Sequence, residues 1–264
     1  MNDIFQQALE ALDIELGSLN SMRLRMGKEV VQAVQLMLET RGRVVVLGMG
    51  KSGIVGKKIA ATLASTGTTA FFVHPGEAFH GDLGMIKASD VALLISNSGE
   101  TEEIIRILLF LKDQKNKIVA MTGKMASTLA WFADVVLDVG VEREACNNNL
   151  APTSLTTCTL VMGDVLAVTL SKQRNFQPED FARFHPGGSL GRKLLTRVRD
   201  VMHSNLPVVQ TGASLSETVL AGYDSRALGR CIDHGRTRQA QRAIHRWRFS
   251  ACADEGWSYH ERRY

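Results

Sequence analysis

The sequence contains few of the residues that mark several classes of protein. It has 4 Cys, 5 Pro and 6% aromatic residues in 264 positions, and no internal repeat. The cysteines form no C-x-x-C pair and show no metal-ligand spacing, which excludes a disulfide scaffold. A hydrophobic content of 45% excludes an intrinsically disordered chain. We therefore expect free thiols and one sizeable core in a globular protein.

Segments that would direct the chain to a membrane or out of the cell are also missing from the pattern. We expect no apolar run long enough to span a bilayer. The N-terminus, MNDIFQQALEALDIELGSL, carries early acids and an amphipathic pattern, unlike a secretory signal. The expected location is the cytoplasm.

The surplus of positive charge is confined to one part of the chain. The formal net charge is +4, from 31 Lys+Arg and 27 Asp+Glu. Residues 1–220 hold 22 bases and 22 acids, whereas residues 221–264 hold 9 Arg, no Lys and 5 acids. The basic balance therefore gives no reason to expect nucleic acid or a membrane surface as a partner.

Short apolar segments alternate with helical patterns through most of the chain. Strands are predicted at 44–50, 70–74, 91–96, 117–122 and 135–139. Helices are predicted at 53–66, 102–113, 126–133 and 153–172, with two more within 4–40. The strands are uniformly apolar, as expected when both faces of a sheet are covered. This pattern predicts an α/β fold, a doubly wound five-stranded parallel sheet with N-terminal helices.

A glycine-rich turn, GMGKSG, follows the first predicted strand. Gly48, Gly50 and Gly53 satisfy the G-x-G-x-x-G pattern of dinucleotide sites. The acid that such sites need after the second strand is missing, because His74 stands there. A Walker A loop fails as well, because Val45 occupies the position of its first glycine. The alternative is a tight strand-to-helix turn that requires glycine.

The segment SNSGET, residues 96–101, follows the third predicted strand and precedes a helix. Its hydroxyls and the free N–H groups of a helix N-terminus would form an anion site. Plain N-capping by Ser98 is the alternative. Two such strand ends, one of them bearing Lys51, suit a single phosphate monoester better than a long dinucleotide.

Four segments match one known family in order and spacing. They are GMGKSGIVGKKIAATLASTGTTAFFVHPGEAFHGDLGMI, ISNSGETEEI, EREACNNNLAPTS and DFARFHPGGSLGRKLL. The segments resemble the sugar isomerase (SIS) domain of the D-arabinose 5-phosphate isomerases, over about residues 40–220. The resemblance implies interconversion of D-ribulose 5-phosphate and D-arabinose 5-phosphate without a cofactor. This reaction is the entry to the octulosonate sugar (KDO) of lipopolysaccharide and some capsules, and the family members are homotetramers.

The resemblance also implies a set of site residues. The implied catalytic residues are Lys51, His80, Glu103, Glu144 and His185. The residues implied around the substrate are Ser52, Ser96, Ser98, Thr101, Thr153 and Ser154. Taken alone, Glu103 could be a structural acid at a helix N-terminus, and Glu144 could be part of a solvated loop face.

The implied chemistry assigns roles to these groups. Aldose–ketose isomerisation through a cis-enediol moves a proton between neighbouring carbons and therefore needs a carboxylate or His of suitable pKa. We expect Glu144 or His185 to be that base, with Glu103 and His80 assisting ring opening and Lys51 pairing with phosphate or a polarised oxygen. Two His and two Glu could bind Zn²⁺, but their spacing is not that of a dedicated site, so a metal is expected to inhibit.

The chain departs from the family pattern at two positions. Ile54 stands where His is common, and Asn147 stands where Pro is usual, which could loosen the loop that carries Glu144. One rival function is a sugar-phosphate-binding regulator without catalysis. The other is a dinucleotide-dependent oxidoreductase, which the missing ribose-binding acid disfavours.

The domain organisation is predicted to break near residue 220. The resemblance implies two CBS modules after the sugar-binding domain. We therefore assign 1–200 to the SIS domain with its N-terminal helices, 201–220 to the start of a CBS module and 221–264 to an aberrant tail. A helix is expected to begin at 213–220, and the tail has no clear strand or helix period. If the codons of Ile244–Cys252 are read one base forward, the genetic code allows them to encode FTDGDFRR. This sequence is close to FTDGDLRR, the signature of the first CBS module, so a shift of the reading frame is predicted near residues 220–226. A basic nucleic-acid-binding arm is the rejected alternative.

Overall fold

The computed structural model describes residues 2–185, the backbone of 208–210, 230–234 and 240–245, and Ser214. The chain divides into two compact units, residues 1–195 and 196–264. The helices of the first unit are α1 Asn2–Arg25, α2 Lys28–Glu39, α3 Gly50–Ser65, α4 Pro75–Ala78, α5 Glu102–Asp113, α6 Thr128–Phe132, α7 Ser154–Gln173 and α8 Pro178–Phe184. Its strands are β1 Val44–Gly48, β2 Ala70–Val73, β3 Val91–Ile95, β4 Lys117–Thr122 and β5 Val135–Asp138.

The five strands form one parallel sheet in the order β2-β1-β3-β4-β5. Val44 is aligned with Ala70 on one side and with Val91 on the other, so β1 pairs with both β2 and β3. The order reverses between β1 and β3, which is the topological switch point of a doubly wound sheet. The predicted α/β fold with five parallel strands is confirmed.

Two hydrophobic cores cover the two faces of the sheet. One contains Val44, Val46 and side chains of α2, α3 and α7. The other contains Val45, Leu47 and side chains of α5. All four of these valine and leucine side chains are fully buried. Burial of alternate residues on opposite faces explains why the strands are apolar throughout.

Helices α3 and α7 lie side by side with their N-termini at the same height. A Cβ added to Gly163 would come within 2.4 Å of Ile59 Cγ1, so the helices touch at the tenth residue of each. The ion pair of Lys58 with Asp164 joins the same level. Since α3 begins at the carboxyl end of β1, the first residues of α7 lie at that edge too.

By length and composition α7 passes as a membrane span, contrary to the expectation that no such apolar run exists. Its polar residues are mostly Thr and Ser, which reduce the hydropathy of a helix less than charged residues would. Half of its most apolar window is buried inside the protein, which is the behaviour of a core helix.

Three short helical elements were not predicted. They are α4, a 3₁₀ turn at Asp82–Met85, and α8. Helix α8 begins with a capping box in which Gln177 and Asp180 exchange hydrogen bonds, and Pro178 occupies its first turn. Seven residues are too few to show a helical period, so the capping residues were its only signal in the sequence.

The second unit contains a three-stranded sheet. Its strands are β6 Val208–Gln210, β7 Arg230–His234 and β8 Ala240–His245, in that order. β6 and β7 are parallel, and β7 and β8 are antiparallel. β7 and β8 form in the tail, although its sequence shows no clear strand period, because backbone pairing makes strands from sequences of weak propensity. The helix expected at 213–220 falls outside the described residues, Ser214 apart.

Candidate functional site

The first part of the candidate site is the glycine-rich turn at the carboxyl end of β1. Gly50 has φ of +52°, a left-handed conformation that glycine adopts without strain. The turn begins α3 directly, with Met49 at the N-cap and no side chain capping the helix. The first N–H groups of α3 therefore have no intrahelical acceptor, and Lys51 and Ser52 flank them.

The second part is the loop from Ser96 to Thr101, after β3. The Ser96 and Thr101 hydroxyls lie 2.8 Å apart, and Ser96 Oγ accepts from the Gly99 N–H at 3.1 Å. Ser98 Oγ accepts from the Glu100 N–H at 3.2 Å, and the Ser98 residue is exposed. Thr101 is the N-cap of α5, again without a side-chain cap bond. This places a second open helix N-terminus beside that of α3, across the switch point.

The next strand holds this loop in place from behind. The Asn97 carbonyl oxygen accepts from Thr122 Oγ1 and from the Gly123 N–H, both at 3.1 Å. A Cβ on Gly99 would lie 2.0 Å from Ser127 Oγ, so only glycine, whose φ is +64°, fits there. The Glu100 carboxylate accepts from the backbone N–H of α6 at 2.6 Å. The loop is therefore a rigid part of the site.

Glu144 caps the N-terminus of α7. Its Oε2 accepts from the Thr153 N–H at 2.7 Å, the Thr153 hydroxyl at 3.0 Å and the Leu155 N–H at 3.3 Å. Thr153 Oγ1 in turn accepts from the Ala145 N–H at 2.8 Å. Ser154, the first residue of α7, is fully buried, and its Oγ has no hydrogen-bond partner. Glu144, Thr153 and Ser154 therefore lie at the carboxyl edge of the sheet, level with the start of α3.

Two cysteines near this loop differ in their titration. Bonds to Cys146 Sγ from the N–H groups of Ala151 and Leu150, against some burial, lower the pKa of that thiol. Burial raises the pKa of the Cys158 thiol to about 11. Cys146 is therefore the thiol that ionises more easily.

His185 lies far from the switch point within its own chain. Its ring stacks on Phe181 at a centroid distance of 4.0 Å, at the end of α8. The neighbouring Phe184 stacks on Phe176, whose ring covers Gly67. Gly67 follows the last turn of α3, and a helix of 16 residues is about 24 Å long. His185 is therefore at the amino edge of the sheet, opposite to Lys51.

His80 and Glu103 occupy the face of the sheet that α5 covers. His80 is exposed in the turn after α4, and the adjacent Phe79 ring lies 4.7 Å from the Arg106 guanidinium. Glu103 is half-buried in the first turn of α5, directly after Thr101 and Glu102. In the described part of the chain, no hydrogen bond or ion pair joins His80 to the switch-point residues.

The structure thus brings most of the predicted site together. The residues at the carboxyl edge are Lys51, Ser52, Ser96, Ser98, Thr101, Glu103, Glu144, Thr153 and Ser154. The sequence reasoning missed Ser127 behind the loop, although Ser127 before an apolar run was a readable helix N-cap. Within residues 2–185, no three His, Cys, Asp or Glu side chains cluster closely enough to hold a metal ion.

Comparison with known proteins decides the family. The model of the SIS domain matches residues 37–169, which is half of the chain and contains the switch-point loops. The chain belongs to the SIS-domain family. The matched region begins in α2 and ends in α7, so it covers the whole five-stranded sheet.

Curated relatives of this SIS-domain protein carry one activity in their names. A probable arabinose 5-phosphate isomerase of Haemophilus influenzae is 54% identical over 219 residues, covering 83% of this chain and 65% of that protein. The arabinose 5-phosphate isomerase KdsD of Pseudomonas aeruginosa is 50% identical over 239 residues, covering 89% and 73%. The resemblance to D-arabinose 5-phosphate isomerases is confirmed. The SIS-domain chain spans less than two thirds of the Haemophilus relative.

A solved SIS-domain structure agrees in fold. A protein of Escherichia coli CFT073, in complex with arabinose 5-phosphate, has a TM-score of 0.68 and 40% sequence identity. The match covers 70% of this chain and 98% of that one.

Proposed function

We propose that the protein is an aldose–ketose isomerase that interconverts D-ribulose 5-phosphate and D-arabinose 5-phosphate. The observation that carries the proposal is the joint position of two open helix N-termini, Lys51 and a fixed carboxylate, Glu144, in a chain half identical to named arabinose 5-phosphate isomerases. The product would supply KDO synthesis for lipopolysaccharide or capsule, and the working location would be the cytoplasm.

The substrate phosphate is assigned to the N-termini of α3 and α5. Their unpaired N–H groups and macrodipoles favour an anion, whereas the N-terminus of α7, at the same edge, is already capped by Glu144. Lys51 adds the positive charge, and the hydroxyls of Ser52, Ser96, Ser98 and Thr101 add donors. Glu103 in the first turn of α5 is assigned to ring opening.

Glu144 is assigned to the carbon-bound proton. Its Oε2 is held by α7, so Oε1 is the oxygen that would accept the C1 proton of ribulose 5-phosphate. The C1–C2 double bond of the enediol then forms while O2 takes a proton. Return of a proton to C2 and loss of the O1 proton give the aldehyde of arabinose 5-phosphate. No cofactor takes part in this scheme, because no electrons leave the sugar.

The isomerase proposal is tested by incubating the full chain with ribulose 5-phosphate in D₂O. Arabinose 5-phosphate carrying deuterium at C2 is the expected product, since an enediol exchanges its carbon-bound proton with solvent. Tight binding of arabinose 5-phosphate without any conversion would replace the isomerase with a sugar-phosphate-binding regulator.

We further propose that the active unit is a homo-oligomer, a tetramer by family resemblance, in which a second copy supplies His185. The amino-edge position of His185 supports this, since the residue cannot reach Lys51 of its own chain. Helix α1 also exposes an apolar stripe, defined as Phe5, Leu9, Leu12 and Leu16, whose 4-3-4 spacing matches a helix-packing seam. A second copy would cover it.

The domain assignment remains a proposal: SIS domain 1–200, start of a CBS module 201–220, and an out-of-frame tail 221–264. The shifted reading of Ile244–Cys252 supports it. Sequencing the coding DNA tests it. A continuous CBS module in the shifted frame is expected, and its absence would end the proposal.

A further inference from the structure

The C-terminal end of α1 is tied to the strand from which the Glu144 loop departs. Arg25, the last residue of α1, donates from Nε to Asp138 Oδ2 at 2.8 Å and from Nη2 to the Gly140 carbonyl oxygen at 2.5 Å. Its Nη1 donates to Ser21 Oγ at 2.7 Å, one turn back on the same helix. Three acceptors around one planar guanidinium fix the orientation of that group.

Asp138 closes the turn at the end of β5 with its other oxygen. Asp138 Oδ1 accepts from the Gly140 N–H at 2.8 Å, while Oδ2 accepts from Arg25. Both the N–H and the carbonyl of Gly140 are therefore bound, one by Asp138 and one by Arg25. This turn determines the direction in which the following residues leave the sheet.

The Glu144 loop, defined as residues 141–153, is then held at two points. Its start is the turn that Arg25 clamps, and its end is the N-terminus of α7, which Glu144 caps. Inside the loop the Glu144 N–H donates to Asn149 Oδ1 at 2.7 Å. Residues 147–151 are exposed, and within residues 2–185 the other hydrogen bonds of the loop stay inside it, including those from the Leu150 and Ala151 N–H groups to Cys146 Sγ and from the Ala145 N–H to Thr153 Oγ1.

The charge of Arg25 also acts in the neighbourhood of Glu144. Burial raises the pKa of the Cys158 thiol, the Arg25 charge opposes this rise, and the Glu15 and Glu144 charges add to it. Arg25 and Glu144 are therefore both near the Cys158 thiol, and their charges have opposite effects on its pKa.

Another arginine joins α1 to the same loop and offers a comparison. Arg143 Nη2 lies 3.6 Å from Glu10 Oε1, and both side chains are more than half exposed. A solvent-exposed ion pair of this kind contributes little to stability. Arg25 has three shorter bonds, of which one goes to the Asp138 carboxylate and one to the Gly140 carbonyl in the turn at the base of the loop.

We propose that Arg25 is a positioning residue for Glu144. By holding the turn at the base of the loop, Arg25 places the Glu144 carboxylate over the substrate carbons. The proposal rests on the isomerase function proposed above. Among the described residues, Arg25 forms no hydrogen bond or ion pair with the phosphate loops, which follow β1 and β3, whereas the turn that it binds follows β5.

The test compares Arg25→Met, Arg25→Lys and Asp138→Asn in the full chain, with Arg143→Met as the matched control. Arg25→Met is expected to lower kcat by about 10- to 100-fold, because a displacement of about 1 Å costs that much. The Kd for arabinose 5-phosphate is expected to stay within about twofold, since the phosphate loops are unchanged. Lys keeps the charge without the fork, so Arg25→Lys should recover part of kcat.

Coupling and backbone exchange complete the test. Combining Arg25→Met with Asp138→Asn should lower kcat no further than Arg25→Met alone, because Arg25→Met already removes the Arg25–Asp138 contact. Hydrogen–deuterium exchange in 141–155 should rise in Arg25→Met but not in Arg143→Met. An inactive wild-type chain would refute the isomerase function. Hydrogen–deuterium exchange in 141–155 would still test whether Arg25 holds the base of the loop. Unchanged kcat and exchange in Arg25→Met, or an equal loss in Arg143→Met, would overturn the inference.

Discussion

Glu144 combines a structural and a proposed chemical task in one carboxylate. Its Oε2 receives the N–H groups of Thr153 and Leu155 and the Thr153 hydroxyl. A carboxylate held by three donors has one fixed orientation, which is what a base aimed at a carbon-bound proton needs. A variant without this side chain would lose the helix cap and the base together, so its loss of activity could not be assigned to either one.

Glu144→Gln and Glu144→Ala should separate the two tasks. The amide oxygen of Gln can still accept the three bonds of α7, so stability should be kept while kcat falls by about 10²-fold or more. Glu144→Ala should lose the same activity and about 1 kcal/mol of stability in addition, because the cap is gone. Turnover and urea unfolding of both variants measure this. Equal stability of the two variants would contradict the capping of α7 by Glu144. An active Glu144→Gln variant would contradict the assignment of Glu144 as the base.

Asp90 stabilises the opposite, amino edge of the sheet in a pH-dependent way. Burial would raise the pKa of Asp90, but the N–H groups of Lys87 and Arg43 and the Arg43 guanidinium lower it below its ordinary value. A carboxyl whose pKa is lower in the folded protein adds stability above its unfolded pKa of about 3.9, and loses it as the pH falls further.

Asp90→Asn is therefore expected to cost about 2 kcal/mol of unfolding free energy at pH 7. This difference from the wild type should shrink as the pH falls below about 4, because the unfolded chain's carboxyl takes up a proton there while the folded Asp90, whose pKa is lower, is still ionised. Urea unfolding at pH 7, 5 and 3.5 measures it, with exposed Asp13→Asn as the control. A difference that is the same at every pH would contradict the charge argument.

At the scale of elements, the sequence predicts long or uniformly apolar segments well. The five strands were placed within two residues of their observed ends, because a strand covered on both faces is apolar at every position. The short α4 and α8 were missed, since neither spans enough turns to show a period. The Arg25–Asp138 contact was also missed. It joins residues 113 positions apart, which local patterns do not report.

The loop after β3 is expected to tolerate no side chain at Gly99. Gly99→Ala would place a Cβ 2.0 Å from Ser127 Oγ on a residue whose φ is +64°. We expect a loss of about 2 kcal/mol of stability and weaker binding of arabinose 5-phosphate, because the loop must shift away from α6. Gly84→Ala is the control, since nothing lies within 4 Å of its added Cβ. Thermal unfolding and calorimetric titration measure both effects, and wild-type affinity in Gly99→Ala would contradict the rigid-loop account.

At the scale of the whole molecule, the neighbourhood of β1 and β3 explains why two weak motifs form one site. A glycine-rich turn and a Ser-rich loop each have a structural alternative when taken alone. The strand order places both at the switch point, where a doubly wound sheet opens a crevice. Sequence reasoning could predict this edge but not the distance of His185, because that depends on how Phe176 packs over Gly67.

The position of His185 leads to a complementation experiment between two inactive variants. Glu144→Gln and His185→Ala chains are each expected to be inactive alone. If a second copy supplies His185, mixed oligomers contain sites with Glu144 from one chain and His185 from the other, about one quarter of all sites at random mixing. Activity should therefore return when the two variants are co-expressed.

Wild-type chains co-expressed with each variant control for the extent of mixing. If His185 acted within its own chain, no mixed oligomer would contain a complete site, and the co-expressed variants would stay inactive. Mixed oligomers confirmed by native mass spectrometry but without activity would therefore refute supply of His185 by a second copy. Recovery of activity would also show that the oligomer forms in a chain that spans only 65% of its Haemophilus relative.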